Sequence, residues 1–422
     1  MKKTYCLFYL LTLVFLTSCG QTKESNEIVA NWNIEGNTQV AMAINGENSN
    51  VVLEEISIEK KEPEIHSAKM KVVGDIMVHE WQIEAAFDKE SNTYDFGRQF
   101  ELVKPFLEDG DITIGNLETT LAGSEAGYSG YPRFNTPDSL GDSLKDSGFD
   151  ILTTANNHSL DTNAKGALRT LDILDKLEIE HTGTYRSQEE SEQIIIKEVN
   201  TISFAFLSYT YGTNGIPIPK EHSYLVNLID MEKMKADIRK AKGLSPDFIV
   251  VSIHFGEEYQ EYPNGNQKQI VDELFDVGAD IILGSHPHVI QSMETRKITR
   301  DDGSEKICFV IYSLGNFVSS QRTPLYPPRD AGIILNLDFE KIENEKAELK
   351  SVSFMPTWVQ FSKKDGKRLI RVIGNNLSEE ELKEELNGDE INRFKSTREY
   401  ILQHLLGENE IRIKDDFYVY PF

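Results

Sequence analysis

Hydrophobic and polar positions follow two different periods along most of this chain. From residue 69 onward, short apolar runs such as VVSI and ADIIL have the length of buried strands. Between them, apolar residues recur every three or four positions, as in residues 163–180, where Leu168, Leu171, Leu174 and Leu177 share one face of a predicted amphipathic helix. Strand and helix patterns alternate up to about residue 320, which predicts an α/β core with much parallel pairing.

The composition divides the chain into four segments. Residues 1–18 have the basic start, the apolar stretch and the small-residue end of a secretory signal peptide. Residues 19–68 are rich in Asn, Glu, Ser and Thr and predict a largely irregular tether. Residues 69–320 carry the alternating core. Residues 321–422 predict strand hairpins and a closing helix that complete the same domain.

The residues around Cys19 predict a lipid anchor. Leu16-Thr17-Ser18-Cys19 resembles a bacterial lipobox, in which the cysteine becomes the lipid-bearing first residue after cleavage. The apolar stretch before it is too short to favour a helix that spans the membrane. A plain signal peptide or an uncleaved anchor is the alternative. We therefore expect an exported lipoprotein of the cell envelope that contacts the membrane through its lipid.

The charge of the chain excludes one class of partner. Asp and Glu number 69 against 44 Lys and Arg, so the formal net charge is -25. Such a chain repels nucleic acid and anionic lipid headgroups unless a basic patch reverses the field. The sequence contains no cluster of Lys and Arg large enough to do so. We expect a soluble acidic surface and no nucleic-acid partner.

Polar side chains of metal-binding type follow nearly every predicted core strand. In an α/β sheet, ligand sites form beyond the carboxyl ends of the strands, so these positions should meet at one edge. Carboxylate, amide and imidazole groups suit Zn, Mn or Fe, and neighbouring glycines permit close backbone approach. The residues at these ends are Asp75, His79, Asn116, Glu118, Asn156, Asn157, His158, Asp161, His254, Glu257, Glu258, His286, His288 and Asn316.

His286 and His288 stand two residues apart in the segment GSHPH. In an extended segment both side chains would lie on one side, roughly 6–7 Å apart along the chain. Two imidazoles at that separation could serve two metal ions roughly 3.5–4 Å apart. Each residue taken singly has a plainer explanation, such as a turn for Asp75, a helix N-cap for Asp161 or an Asx turn for Asn157. Their joint occurrence at successive strand ends favours a metal site.

Six motifs occur in an order that resembles a known family. They are VVGDIM, IGNLETTL, TTANNHSLDTNAKG, HFGEEY, GSHPHVIQ and YSLGNF, and they cover about residues 69–320. They are similar to those of the bacterial capsule synthesis proteins (CapA or PGA_cap), which are named for poly-γ-glutamate capsule formation and belong to the calcineurin-like metallophosphatase superfamily. The resemblance implies a four-layer α/β/β/α sandwich, here with a C-terminal β-rich extension and closing helix. It also implies a site for one or two divalent metal ions.

The resemblance assigns roles to individual positions. His158 matches the histidine that contacts the phosphoryl group or the leaving oxygen, with Asp161 as its partner. Glu258 is a further candidate for catalysis or substrate contact. The implied metal ligands are Asp75, Asn116, Glu118, Asn157, His254, His286 and His288, with His79 as an additional candidate.

Two positions depart from the superfamily pattern. Its first motif is Asp-x-His, but Met77 stands where the histidine would be, so His79 would have to replace it. The Gly-Asp of its second motif is Gly115-Asn116 here, so a negative charge must come from Glu118. Both departures weaken one metal site. A mononuclear site is therefore an alternative to a dinuclear site with Mn, Fe or Zn.

Three functions are open at this point. The first is a metal-dependent hydrolase of a phosphoester or amide bond in an envelope polymer or its precursor, either poly-γ-glutamate or a polysaccharide, during capsule biosynthesis. The second is a non-catalytic subunit that binds or transports this polymer, together with other capsule synthesis subunits. The third is a structural envelope lipoprotein that binds no stoichiometric metal. The first is our prediction.

Overall fold

The chain forms two compact units, Met1–Pro63 and Glu64–Phe422, in a computed structural model. The predicted signal peptide and the lipidation position Cys19 lie outside the described residues. The structure describes residues 29–34, 38–44, 51–57, 62–300, 303–321, 326–364 and 366–422.

Three strands lie in the first unit, within the segment predicted as a largely irregular tether. They are β1 (Val29–Ile34), β2 (Thr38–Ile44) and β3 (Val51–Ser57), and they form an antiparallel sheet in the order β1-β2-β3. Each short apolar run is rich enough in β-branched or aromatic residues to form a strand. Its backbone groups are then paired along the neighbouring strand, which the polar composition of the segment did not indicate.

The second unit contains two larger sheets. Its strands are β4 (Ile65–Ile76), β5 (Phe87–Asp88), β6 (Thr93–Tyr94), β7 (Ile112–Leu117), β8 (Ile151–Thr153), β9 (Glu180–Thr182), β10 (Ile195–Val199), β11 (Ile202–Thr210), β12 (Phe248–His254), β13 (Ile281–Ser285), β14 (Met293–Thr299), β15 (Glu305–Ile311), β16 (Asn316–Val318), β17 (Ala331–Ile342), β18 (Glu348–Lys364), β19 (Lys367–Gly374), β20 (Ile413–Lys414) and β21 (Phe417–Tyr420).

Helices connect most of the parallel strands of this unit. They are α1 (Glu80–Ala86), α2 (Gly97–Phe100), α3 (Lys104–Glu108), α4 (Ser139–Asp146), α5 (Asn163–Lys176), α6 (Gln188–Ser191), α7 (Met231–Gly243), α8 (Gly265–Val277), α9 (Glu379–Glu385) and α10 (Gly388–Leu406). Across the described part of the chain, no helix combines the length and the apolar character needed to cross a membrane.

Capping side chains determine where several of these helices begin. The carboxylate of Asp230 accepts the backbone N–H groups of Glu232 and Lys233 at the start of α7. Asn264 and Gln267 bond reciprocally to each other's backbone N–H at the start of α8. These bonds satisfy N–H groups that have no partner within the helix, which stabilises each first turn by about 1 kcal/mol.

Both sheets have a parallel centre. Among the described residues, the larger sheet runs β20-β21-β18-β17-β4-β7-β8-β9, with β16 beside β4 and β19 beside β18. Its strands β4, β7, β8 and β9 are parallel, whereas β17 and β18 are antiparallel to their neighbours. The other sheet runs β10-β11-β12-β13-β15-β14, and β11, β12, β13 and β15 are parallel. The predicted parallel α/β core is therefore confirmed.

Alternate residues of the central strands face different layers. On β12, Phe248 and Val250 join the hydrophobic core between the two sheets, whereas Ile249 and Val251 join a core against α7 and α8. On the larger sheet, β4 and β7 also contribute to the core between the sheets and to an outer core against α2 to α5. The layers therefore run helix, sheet, sheet, helix, and the predicted four-layer sandwich is confirmed.

The C-terminal strands and helix belong to the same compact unit as this core. Strands β17 and β18 lie in the larger sheet beside β4, and α10 buries Ile401 and Leu405 in the core between the sheets. The predicted C-terminal extension thus widens one sheet of the sandwich. Near its start, Gln321 and Arg329 accept hydrogen bonds from Asn316, which is paired with Asp75 at the carboxyl end of β4.

Candidate metal centre

The carboxyl ends of the parallel strands bring polar side chains from both sheets together. In the larger sheet, Asp75 on β4 is paired with Asn116 on β7 and with Asn316 on β16. In the other sheet, His254 at the end of β12 is paired with Ser285 at the end of β13. All five residues are buried. Across the sheets, Nδ2 of Asn116 lies 3.3 Å from Nδ1 of His254, so the structure brings these strand ends together.

Asp75 connects the larger sheet to the loop that follows β13. Its Oδ1 accepts a hydrogen bond of 2.8 Å from Nδ2 of Asn116. Its Oδ2 lies 3.0 Å from Nδ1 of His288 and accepts the backbone N–H of His286 at 3.3 Å. One carboxylate thus orients two candidate metal ligands from a segment more than 200 residues away in sequence.

Asp75, Glu118 and His254 form the first candidate metal-binding group. Each offers a ligand atom, and these three atoms lie within 4.8 Å of one another. Glu118 is completely buried, and within the described residues neither of its carboxylate oxygens has a hydrogen-bond partner. Burial, and next the charge of Asp75, raises its pKa well above the ordinary value. Because an unpaired buried carboxylate is costly, this arrangement fits a divalent cation between the three residues.

Glu258, His286 and His288 form a second candidate group with the same 4.8 Å limit. Nδ1 of His286 is buried and has no partner within the described residues. Burial, and next the charge of His288, lowers the pKa of His286 to about 3. Burial likewise lowers the pKa of His254 well below the ordinary value. Neutral imidazole is the form that binds metal ions, so these rings are suited to be ligands at neutral pH.

Glu118 lies close to both groups. Its Oε1 is 3.6 Å from Nε2 of His254 and 3.7 Å from Nε2 of His288. We do not interpret the contact with His254 as an ion pair, because the lowered pKa of His254 and the raised pKa of Glu118 both favour the neutral forms. The donor set of carboxylates and neutral imidazoles suits Mn, Fe or Zn.

The segment of His286 and His288 is a turn and not the predicted extended strand. Strand β13 ends at Ser285, and both histidines have positive φ, 100° for His286 and 55° for His288. Such backbone is strained for residues other than glycine, at a cost of about 1–3 kcal/mol each. It is held by the bond from His286 to Asp75 and by the bond from the N–H of Tyr259 to the carbonyl of Pro287.

His158 and Asp161 lie in the loop before α5. Nδ1 of His158 is 2.7 Å from Oδ2 of Asp161, and this oxygen also accepts the backbone N–H of Phe134. Nε2 of His158 faces the side-chain amide of Asn214 at 3.4 Å. The arrangement keeps a proton on Nδ1 and leaves Nε2 as an acceptor. Asp161 is not the N-cap of α5, because Thr162 occupies that position.

The two predicted asparagine ligands are engaged in hydrogen bonds. Asn116 donates to Asp75, and its Oδ1 faces the side-chain amide of Asn156 at 3.2 Å. Oδ1 of Asn157 lies 2.7 Å from Nε2 of His254. Asn116 therefore orients Asp75 in this structure, and Asn157 lies beside a histidine of the first group.

His79 lies apart from both groups. Its Nδ1 accepts the backbone N–H of Ser320 at 3.2 Å, and it precedes the first turn of α1. Burial lowers its pKa to about 4. Among the described His, Cys, Asp and Glu residues, His79 is not part of either candidate metal group.

Sequence reasoning missed several residues that shape this site. Asn316 was noted at a strand end but received no role, although its Oδ1 lies 3.0 Å from Nδ1 of His288. Tyr211 packs on His286 with ring centres 4.5 Å apart and ring planes tilted by 46°, and Ser285 bonds His254. Glu258 was expected to act in catalysis, whereas the structure groups it with two histidines. Position at a strand end was the available signal for all three, since Tyr211 directly follows β11.

Comparisons with known proteins agree on one family. The model described as "Bacterial capsule synthesis protein PGA_cap" matches residues 69–321. The chain is 31% identical over 268 residues to "Capsule biosynthesis protein CapA" of Bacillus anthracis, an alignment that covers 62% of each protein. It is 29% identical over 263 residues to "PGA biosynthesis protein CapA" of Bacillus subtilis (strain 168), covering 59% of this chain and 62% of that protein. The matched region thus spans less than two thirds of these relatives.

Solved structures are more distant. The NAD nucleotidase NadN of Haemophilus influenzae is 11% identical with a TM-score of 0.44, and the match covers 82% of this chain and 62% of that chain. The calcineurin-like phosphoesterase YfkN from Bacillus subtilis is 15% identical with a TM-score of 0.35, covering 80% and 99%. Scores at this level carry no argument about reaction or substrate.

Proposed function

The chain belongs to the bacterial capsule synthesis protein family PGA_cap, and we propose that it acts in the biosynthesis of a capsule polymer as a metal-dependent hydrolase. The observation that carries the proposal is the carboxylate of Glu118, which is fully buried and has no hydrogen-bond partner within the described residues. It belongs to the group with Asp75 and His254, and its Oε1 lies 3.7 Å from Nε2 of His288 in the second group. A divalent cation bound there would pair with this carboxylate in its ionised form, and a metal-dependent hydrolase needs such a site.

The two groups would hold one or two divalent cations, Mn, Fe or Zn. Asp75, Glu118 and His254 supply the first set of ligands, and Glu258, His286 and His288 supply the second. A bound cation would act as a Lewis acid on a phosphoryl or carbonyl oxygen of the substrate. Two adjacent sets support a dinuclear site in spite of Met77 and Asn116.

The chain's own acid–base group in this proposal is His158. Asp161 holds its Nδ1–H, so that Nε2 is the atom that exchanges a proton with the substrate or with the leaving group. Asn214 and the edge of Phe134, whose ring centre is 4.6 Å from that of His158, keep the imidazole in place. Both side chains of the pair are buried, so the surrounding protein holds them in this geometry.

The relatives' names support a substrate in the capsule. We propose a phosphoester or an amide bond in poly-γ-glutamate, or in another envelope polymer or precursor, as the bond that is cleaved. The acidic surface opposes binding of such a polyanion unless cations mediate the contact, which is a role that the proposed metal site would supply. We also propose other capsule synthesis subunits as partners, and the family's association with capsule synthesis is the support for this.

We also propose that the protein is exported and held at the cell envelope by a lipid on Cys19. The support is the lipobox-like sequence before Cys19. Labelling of cells with a fatty-acid analogue should mark the wild-type chain and should not mark Cys19→Ser. Equal labelling of both proteins, or no labelling of the wild type, would contradict the lipid anchor.

Metal content and turnover test the hydrolase. The purified full chain should retain Mn, Fe or Zn, and Glu258→Gln should reduce the amount. Glu257→Gln is the matched control, because Glu257 lies on the same loop but outside both candidate groups. The metal-loaded wild type should then cleave model phosphoesters or γ-glutamyl amides. Bound metal without turnover of either class would contradict the hydrolase and favour a polymer-binding subunit.

A further inference from the structure

Arg329 is joined through its backbone to Asn316, which contacts His288 of the second candidate group, and among the described residues its side chain has no charged partner. The side chain is partly exposed, and its guanidinium carbon lies 3.4 Å from the centre of the Tyr259 ring. Within the described residues, this guanidinium makes neither a hydrogen bond nor an ion pair. Other arginines of this unit are paired with carboxylates, for example Arg393 with Asp330. An unpaired guanidinium with five donors is available for a ligand.

The backbone of Arg329 is tied to the histidine turn of the second metal group. Nδ2 of Asn316 donates to the carbonyl of Arg329 at 2.8 Å, while Oδ1 of the same amide lies 3.0 Å from Nδ1 of His288. Asn316 is completely buried. The position of Arg329 and the orientation of a candidate ligand are therefore set by one side chain.

Tyr259 ties the side chain of Arg329 to the same turn. The N–H of Tyr259 donates to the carbonyl of Pro287 at 2.8 Å, and its ring centre lies 6.3 Å from that of His288. Stacking on this ring holds the guanidinium flat by cation–π attraction. Its N–H groups then point outward from the edges of the plane, which is the geometry that binds carboxylate or phosphate in a bidentate manner.

Glu258 is the acidic side chain next to Tyr259 that could compete for Arg329. Its carboxylate and Arg329 form no ion pair within 4 Å among the described contacts, and Glu258 is grouped with His286 and His288. When Glu258 binds a metal ion, its charge is neutralised there. Arg329 then remains as a second positive site beside the cation in a chain of net charge -25.

We propose that Arg329 binds an oxyanion of the substrate, a carboxylate or a phosphate, beside the metal centre. The inference rests on the proposed function and narrows its substrate to one with an anionic group close to the reacting bond. In a γ-linked glutamate chain this group is the free α-carboxylate that each residue carries. In a phosphoester it is the phosphate itself. Arg329 would thus determine specificity through direct contact and not through another side chain.

Binding to the Mn-loaded full chain tests this assignment. The probes are a γ-linked glutamate oligomer, the same oligomer with its α-carboxylates converted to amides, and inorganic phosphate. By calorimetry, Arg329→Met should weaken binding of the oligomer roughly tenfold or more, because a charge-assisted bidentate contact is lost. Arg329→Lys should recover only part of the affinity, since an ammonium group cannot form the bidentate pair of hydrogen bonds that a guanidinium forms. Amidation of the oligomer should weaken the wild type but not Arg329→Met.

Arg296→Met is the matched control. Arg296 also lies over an aromatic ring, that of Phe275, but it pairs with Asp272 and Glu294 and contacts no residue of either metal group. Its loss should leave binding of all probes unchanged. If phosphate but not the oligomer depends on Arg329, the oxyanion is a phosphate. If wild type and Arg329→Met bind both probes equally, or if the wild type binds neither, the assignment is overturned.

The same measurements separate this inference from the proposed hydrolase. A protein that holds metal and cleaves a model substrate, but whose probe affinity does not change in Arg329→Met, would overturn the role of Arg329 alone. A protein that retains no metal, yet binds the oligomer through Arg329, would overturn the hydrolase and keep the oxyanion site.

Discussion

His158 and Asp161 form a buried hydrogen-bonded pair, with 2.7 Å between Nδ1 and Oδ2. The same carboxylate oxygen accepts the backbone N–H of Phe134, so the carboxylate is oriented from two directions. This relationship assigns the two ring nitrogens different tasks. Nδ1 is held, and Nε2 is available for proton exchange, which makes the pair separable from metal binding by mutation.

Replacement of His158 should abolish most turnover and leave the metal in place. In His158→Gln no ring nitrogen can exchange a proton, and loss of general acid–base catalysis typically costs 10²–10⁴-fold in rate. We expect kcat on a model substrate to fall by roughly this factor. Metal content measured on the same preparation should equal that of the wild type. A variant that keeps full activity, or that loses its metal, would refute the separate role of His158.

Replacement of Glu118 should weaken metal binding at the first candidate group without unfolding the protein. Gln has the size of Glu but carries no charge, so Glu118→Gln removes a buried carboxyl group without hydrogen-bond partners and leaves no cavity. The melting temperature of the metal-free variant should be equal to or above that of metal-free wild type. Added Mn should raise the melting temperature of the wild type more than that of the variant, in which only the second group is intact. An Mn-dependent rise of equal size in the variant would contradict the assignment of Glu118 as a ligand.

Acid should destabilise the protein partly through His79. Burial lowers its folded pKa to about 4, below the value of 6.5 in an unfolded chain. Between these values the unfolded state binds more protons, so this group's stabilisation is complete above pH 6.5 and is lost as pH falls to 4. The loss amounts to roughly 3 kcal/mol at most. In urea unfolding, the free energy of unfolding of His79→Asn should depend less on pH in this range than that of the wild type. Above pH 7, the difference in free energy of unfolding between the two proteins should be constant.

Asp330 should be important for stability although it lies outside the metal groups. It is buried, accepts the indole N–H of Trp358 at 3.0 Å, and pairs with Arg393 on α10. Asp330→Ala leaves both donors without their carboxylate and should lower the free energy of unfolding by about 3 kcal/mol. The exposed Asp276 provides the control, since Asp276→Ala should change it by less than about 0.5 kcal/mol. Similar losses in both variants would contradict this role.

Most of the layered fold was predictable from local patterns. The alternation of Phe248, Ile249, Val250 and Val251 reports that β12 is covered on both faces, because residues next to each other on a strand face opposite layers. The placement of β17 between β4 and β18 was not predictable. That pairing joins segments that are far apart in sequence. The spacing of hydrophobic residues within a segment does not indicate which strands become neighbours.

Part of the candidate site was also predictable from the sequence. Asp75, Glu118 and His254 stand at strand ends in the sequence, and the structure brings them within ligand distance. The turn of His286 and the free guanidinium of Arg329 could not be predicted. Both depend on hydrogen bonds and stacking from loops that meet only after the two sheets have packed.

The sequence by itself determined the family, the layered α/β core and the residue types at the strand ends. Each of these follows from the order of the motifs and from the spacing of hydrophobic and polar residues along the chain. Only the tertiary structure decided how those residues divide into two ligand groups and which partners orient them. Asn316 illustrates the difference: one buried amide bonds His288 and Arg329, which lie 41 positions apart. Distances between side chains are set by the packing of whole sheets, and that information is distributed over the entire chain.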